Sequence, residues 1–332
     1  MTETAETLAH RLIDAARSAG ADAADAIAMS GTALSIDVRA GALEQAERAE
    51  GTDIGLRVFV GRRSAIVSGS DTRDDTLRAM AERAITMARE APDDPYAGLA
   101  EPAQLATDWD LAALELADPA DEPAPATLED DARRTETAAL AVDGISQVQS
   151  ASAAYSARAV HLAATNGFSG GYRRTSRSTS CVAIAGEGLK MERDYDGDSR
   201  TFQSELRSPE EIGRSAADRA LERMNPRRPK TGAYPVLFDE RISASLIGHL
   251  MAAINGASVA RGASWLRDAM GEAVLPDTLS LIEDPHRPRA SASRPFDAEG
   301  LATRKRAIVD KGVLTGWTLD LANARKLALD SS

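Results

Sequence analysis

The sequence predicts an α+β protein in three blocks. They are an N-terminal helix/antiparallel-sheet domain over 1–105, a central domain with a β-meander and helices over 106–228, and a C-terminal, mainly antiparallel β domain with a buried central helix over 229–332. Three observations predict it. Helical and two-residue periodicities alternate through the first 90 residues; a stretch rich in proline and acids follows; and a markedly apolar helical segment opens the last hundred residues.

From Glu6 to Ala19, Leu8, Leu12, Ile13 and Ala16 fall on one helical face, and Gly20 stops the helix. Alternation then takes over, in Leu34, Ile36 and Val38 and again in Ile54, Leu56, Val58 and Val60, with Gly61 at a turn before Ala65 and Val67. These are antiparallel strands. A second helix is expected to start at a Ser70-Asp71 capping pair and to carry Leu77, Met80, Ala84, Ile85 and Ala88 inward. Residues 91–126 read as a linker or a long surface crossing that holds a domain boundary.

Leu128 to Val142 is expected to be helical. Between Ser146 and Phe202 the pairs Asn166-Gly167, Gly170-Gly171, Glu187-Gly188 and Asp196-Gly197 are each expected to be a hairpin turn of a meander. Ser208-Pro209-Glu210-Glu211 opens the next helix with a cap, a first-turn proline and acids at the positive end of the dipole. Residues 235–239 (PVLFD) read as a short buried strand, and Glu240 to Asn255 as a helix apolar around more than half its circumference, hence central. A strand at Leu279–Leu281, a hairpin at Asp310-Lys311-Gly312 and a helix from Leu319 to Leu329 complete the chain.

Composition narrows the function classes. The net charge of −12 works against a broad nucleic-acid surface. No apolar run approaches the roughly 18 residues of a membrane helix, and the acid-bearing N-terminus lacks signal-peptide character, so a cytoplasmic location is expected. The lone cysteine, Cys181, rules out an internal disulfide and reads as a small buried hydrophobe in preference to a nucleophile.

Several motifs carry less than they promise. Gly167-Phe168-Ser169-Gly170-Gly171 fits G-x-S-x-G, yet its context is a hairpin and not a strand-to-helix elbow, and no nearby His and acid suggest a triad. Asp194, Asp196, Asp198 and Glu205 have calcium-loop spacing, but Gly197 stands at position four where position six is needed. The histidines, His10, His161, His249 and His286, form no i, i+4 pair, so no metal site is assembled locally. Asn255-Gly256 and Arg261-Gly262 read either as helix ends or as places where another backbone can come close. The segment from Asp284 to Arg289 is either a polar surface loop or a cleft wall.

The order of the blocks, with LFDERISASLIGHLMAAINGASVARGASWLRD from Leu237, SLIEDPHRPRASASRPFDAEG from Ser280 and KGVLTGWTLDLANARKLAL from Lys311, resembles the PmbA (TldE) branch of the TldD/PmbA family. These proteins are historically called modulators of DNA gyrase. The resemblance implies a cytoplasmic, heterodimeric metalloprotease that cleaves unfolded peptides, such as antitoxins and peptide-antibiotic precursors, with zinc held by the TldD-like partner. The partner's His-Glu-x-x-x-His pattern falls here on Ile247, Gly248 and Ala252, none of which binds zinc or acts as a general base. It therefore implies no catalytic, metal or cofactor-binding residue in this chain. His249, Asn255, Gly256, Arg261, Gly262, His286 and Arg287 are the candidate contacts to a peptide or to the partner. Family members run further than Ser332, so the resemblance also implies an incomplete third domain. Two rival readings are a nonproteolytic regulator bound to DNA gyrase or a similar protein, and a stand-alone hydrolase built on Ser169.

Overall fold

The computed structural model describes residues 4–329. Helix α1 (Ala5–Ser18) is capped by Thr4, whose hydroxyl accepts from the Thr7 amide, and it buries Leu8, Leu12, Ile13 and Ala16. Strand β1 (Ala23–Arg39) turns at Ala40-Gly41 into β2 (Ala42–Val60), which turns at Gly61 into β3 (Arg63–Gly69). Helix α2 (Asp74–Glu90) packs with α1 over Ala24, Ala26, Ala28, Leu56 and Val58 in one core. It does not begin at Ser70-Asp71 as expected. The Asp71 carboxylate is taken instead by the Arg73 side chain and amide and by the Thr76 hydroxyl, so it caps no first-turn amide of the helix.

The segment after α2 is a packed crossing. Ala100, Ala106, Leu114 and Leu116 are buried along it, and it contains the short α3 (Leu111–Leu114). There follow α4 (Pro125–Leu140), β4 (Ile145–Ala164), β5 (Ser169–Ala185), β6 (Glu192–Arg200) and α5 (Pro209–Glu222). Ser208 and Glu211 form the capping box of α5. Only two of the four expected glycine turns are turns. Asn166-Gly167 joins β4 to β5, and Glu187-Gly188 lies between β5 and β6, whereas Gly170-Gly171 and Asp196-Gly197 lie inside strands. The reason is close approach: a β-carbon at Gly171 would stand 2.7 Å from the Val160 carbonyl oxygen, and one at Gly170 would stand 2.9 Å from the Phe296 ring.

The six strands form one antiparallel sheet in the order β3-β2-β1-β4-β5-β6. β1 pairs with β4 from Asp25↔Ala164 to Val38↔Ala151, so the sheet runs unbroken through the first and second blocks. The four long helices of the first two blocks, α1, α2, α4 and α5, cover one face. Ala24, Ala26 and Ala28 meet α1 and α2, and Leu34, Ile36 and Val38 on the same side of β1 meet Leu128 and Ala132 of α4. Cys181 is buried there under α5, and burial pushes its thiol up to about 12, as befits an inert hydrophobe.

The third block lies on the other face. It contains α6 (Glu240–Ala253), α7 (Gly256–Ala260), β7 (Leu281–Glu283), β8 (Arg306–Asp310), β9 (Val313–Leu314) and α8 (Leu321–Leu327), with the strands paired antiparallel in that order. Lys311-Gly312, both at positive φ, make the β8–β9 turn. Two expectations fail here. Residues 235–239 form no strand, and Val236 and Leu237 are 72% and 97% exposed, because no strand among the described residues pairs with them. Nor is α6 buried. Its last turn, Leu250 and Ala253, joins Ile308, Val309, Leu314 and Trp317 in a core, while Ile242, Leu246 and Ile247 remain 54%, 47% and 38% exposed. A three-stranded sheet covers one end of so apolar a helix and no more.

What fastens this block to the sheet is an aromatic cluster. Phe296 meets Phe168 and Trp109 with ring centroids 5.0 Å apart and Tyr172 at 5.9 Å, all near edge-to-face. Gly300, at φ +79°, lies so close that a β-carbon would stand 2.7 Å from Phe168 Cγ. Arginines tie the periphery. Arg174 of β5 donates to the carbonyls of Ala290, Ser291 and Ser293; Arg325 of α8 donates to those of Tyr96, Gly98 and Leu99; and Arg289 pairs with Glu115. Phe296→Ala is expected to cost about 3–5 kcal/mol in urea unfolding and Phe296→Leu much less.

Candidate functional site

Asp239 caps α6, its carboxylate accepting from the Arg241 amide at 3.0 Å. Arg241 then reaches back to Asp194 of β6 at 2.8 Å, which anchors the start of the helix to the end of the large sheet. On α6 itself Ile247, Gly248 and Ala252 present no metal-ligating atom. A β-carbon built at Gly248 meets nothing within 4 Å, so packing does not force a glycine there. The residues of α6 do not fit a metal. Among the described residues the one cluster of three potential ligands is Glu6, His10 and His161, on a different part of the molecule.

Between the open face of the sheet and the third block lies a cleft of about 770 Å³. Its floor is Ile27, Val160, Leu162 and Tyr172, and its far wall is built by Phe296 to Glu299 and by Thr318 to Asp320 with Ala322 and Asn323. Ile66 of β3, at the edge of the sheet, forms part of the rim. Charged residues interrupt this largely apolar lining, Asp25, Arg57 and Glu299 as one group and Arg294, Asp297 and Asp320 besides. Arg57 donates through Nε to Asp25 at 2.9 Å and lies 3.9 Å from Glu299. Burial raises the Asp25 carboxyl despite the Arg57 hydrogen bond and charge, and burial likewise raises Glu299, which accepts from the Leu321 amide at the start of α8. An apolar trough with a few convergent polar groups has the usual form of a ligand-binding cleft.

The seven residues singled out in the sequence are scattered. Asn255 lines the cleft and caps α7, accepting from the Ser258 amide. Gly256 is buried. Its amide donates to the Thr318 carbonyl at 2.7 Å, and a β-carbon would stand 2.5 Å from Leu319 Cδ2, so the backbone that approaches it is the chain's own. Arg261 is exposed and Gly262, at φ +70°, follows the end of α7. His249 is exposed on α6, and its ring makes no hydrogen bond among the described residues. His286 Nε2 pairs with the Thr303 hydroxyl at 2.9 Å, and Arg287 is exposed, its carbonyl accepting from Ser293 Oγ. Asp25, Arg57 and Glu299 escaped sequence reading because they come from three distant segments; Asp25↔Arg57 is a cross-strand pair, legible only once the β1–β2 register is known.

The structure also brings histidines to Ser169, contrary to the sequence expectation. His161 Nε2 and His10 Nε2 lie 2.9 and 3.0 Å from its hydroxyl. A hairpin centred on Asn166-Gly167 sets His161 opposite Gly171, beside Ser169, and that was the available signal. Burial lowers the pKa of His161, and the nearby Glu6 carboxylate partly offsets it. Ser169 opens a β-strand, so no nucleophile elbow exists. The acidic stretch of β6 is an arginine ladder and not a calcium loop. Asp194 pairs with Arg241 and Arg223, Asp196 with Arg207 and Arg219, and Asp198 with Arg200.

In comparisons with known proteins, the chain matches PmbA/TldA metallopeptidase domain 1 over residues 24–88, the central domain over 118–224 and the C-terminal domain over 231–332. Metalloprotease PmbA of Escherichia coli O157:H7 is 35% identical over 94% of this chain and 69% of its own length. The chain belongs to the PmbA/TldD metallopeptidase family. The PmbA homolog of Haemophilus influenzae is 31% identical over 96% of this chain and 70% of its own length. Among solved structures, a candidate modulator of DNA gyrase from Bacteroides thetaiotaomicron has a TM-score of 0.93 and 26% identity, covering 100% of this chain and 75% of that one. TldE of Thermococcus kodakarensis, with a TM-score of 0.79 and 18% identity over 98% of this chain and 72% of that one, shares the fold. No helix among the described residues is long and apolar enough to cross a membrane.

The ladder on β6 predicts how this PmbA-family fold responds to acid. Burial alone would raise Asp194, Asp196 and Asp198, but hydrogen bonds from arginines and other donors outweigh it, and all three lie below 3.8. A carboxyl more acidic folded than unfolded stabilises fully above its unfolded value, about 3.9, and that stabilisation is lost as pH falls through the folded values. Melting temperature is expected to drop as pH falls below about 4. Arg241→Met is expected to cost about 1–2 kcal/mol at neutral pH, discounted because Arg241 is partly solvated, with the gap to wild type closing in acid.

Proposed function

We propose that the chain is a noncatalytic PmbA/TldE-type subunit that pairs with a TldD-like zinc subunit in the cytoplasm. Together they would cleave unfolded peptides, as in peptide maturation or antitoxin degradation. The observation that carries this reading is α6. By the family resemblance this helix stands where the TldD branch has its zinc helix, and it offers Ile247, Gly248 and Ala252 where hydrolysis needs ligands and a base. The bond-breaking chemistry then belongs to the partner, and this chain's work is to bind and orient.

Two features support that division. The cleft has an apolar floor, a charged group at Asp25–Arg57–Glu299 and the edge strand β3 at its rim, so an extended peptide can align its backbone along β3 and set side chains into the trough. The stripe Ile242, Leu246 and Ile247 on α6 is apolar and exposed, a face suited to a subunit contact. Purified alone with zinc, the chain is expected to leave fluorescent casein uncut, and with a TldD-like subunit to form a complex that cuts it. Zinc-dependent cleavage by the chain alone would overturn the noncatalytic role. Recovery of DNA gyrase in place of a TldD-like protein in a pull-down would overturn the pairing.

A further inference from the structure

On the helix-covered face of the sheet, opposite the cleft, the side chains of α1 and of the β4–β5 hairpin converge. Glu6 and His10 stand four residues apart and so share one face of α1. His161 comes from β4, where it is in register with Gly171 of β5 and Ala28 of β1. One carboxylate oxygen of Glu6 and one ring nitrogen each of His10 and His161 all lie within 4.8 Å of one another. The two imidazole rings are 5.9 Å apart between centroids and tilted by 52°, with both Nε2 atoms aimed at Ser169 Oγ.

Gly171 makes this arrangement possible. A β-carbon there would stand 2.6 Å from His161 Nδ1, so only the absent side chain lets the ring lie against β5 and turn toward Ser169. The hydroxyl has one proton to donate, so it can fill the lone pair of at most one Nε2, while its own lone pairs can accept from a protonated ring nitrogen. A cation at this point would take both lone pairs together, with the Glu6 carboxylate supplying the negative charge.

We propose that Glu6, His10 and His161, with Ser169 beside them, form a binding site for a divalent first-row transition ion of the zinc class that clamps α1 to the β4–β5 hairpin. The donor set sets the class: two imidazoles and one carboxylate suit zinc, cobalt, nickel or copper, whereas calcium and magnesium take oxygen cages. In a tetrahedral site with metal–ligand bonds of about 2.0–2.1 Å, neighbouring donors stand roughly 3.4 Å apart. Rotation of the exposed Glu6 and His10 side chains closes the remaining distance, and the Ser169 hydroxyl or a water takes the fourth position. The site involves no residue of α6 or of the cleft, so it stands or falls independently of the proposed subunit role.

The test uses the full chain, free of tags and stripped with EDTA. Calorimetric titration with zinc chloride is expected to show a single ion bound, and cobalt(II) to give the visible absorption of a tetrahedral site. Melting temperature is expected to rise with zinc as binding to the folded state requires. His10→Asn, His161→Asn and Glu6→Gln are each expected to weaken binding at least about tenfold, the scale at which loss of even a supporting contact registers. His249→Asn is the control and is expected to bind as wild type. Melting in EDTA at the wild-type temperature confirms that the variants fold; Glu6 and His10 are exposed and His161 is partly buried. Absence of binding by wild type, or undiminished binding by the His10→Asn/His161→Asn double variant, would overturn the proposal.

Discussion

The open face of the sheet is organised by one contact, the seating of Phe296 against Phe168, Trp109 and Tyr172. Four rings from the crossing segment, the β4–β5 hairpin and the third block meet there, and the two glycines nearest them have no room for a side chain. Gly170 admits the edge of Phe296 to the strand, and Gly300 admits the backbone to the face of Phe168. The cleft follows from this geometry. With the third block pinned at Phe296, the segment Asp297 to Glu299 and the approach to α8 are held above the sheet, and Ile27, Leu162 and Tyr172 become a floor.

Charge works locally in this acidic chain. Arg174 and Arg325 spend their donors on backbone carbonyls, three each, and in doing so satisfy loops that form no sheet. Arg241, Arg219 and Arg207 neutralise carboxylates that β6 holds nearly buried. The surplus of acids is therefore compatible with an interior seam rich in guanidinium, and the net charge says little about any single surface.

Much of this was legible in the sequence. The helices at Ala5–Ser18, Pro209–Glu222 and Glu240–Ala253, the strand alternation around Ile54 to Val60 and the Lys311-Gly312 turn all follow from local pattern and local caps. What was not legible depends on partners far away in sequence. Gly170-Gly171 has the composition of a turn, and only the presence of Phe296 and His161 across the strand explains why it is not one. The apolar circumference of α6 implied burial, but periodicity reports which residues resist water and not whether anything covers them. The cleft's Asp25, Arg57 and Glu299, and the convergence of His10 with His161, are products of register and crossing.

The same helix that failed to be buried is the centre of the functional account. The match to the family's C-terminal domain covers this helix, and Ile247, Gly248 and Ala252 on it present neither a metal ligand nor a base. An apolar face without ligands is what a supporting subunit would present to a catalytic one. Hydrogen–deuterium exchange of the chain mixed with a TldD-like subunit tests this most directly: the account predicts slowed exchange across residues 240–253 in the complex. A complex that forms while those amides exchange as they do in the chain alone would contradict it.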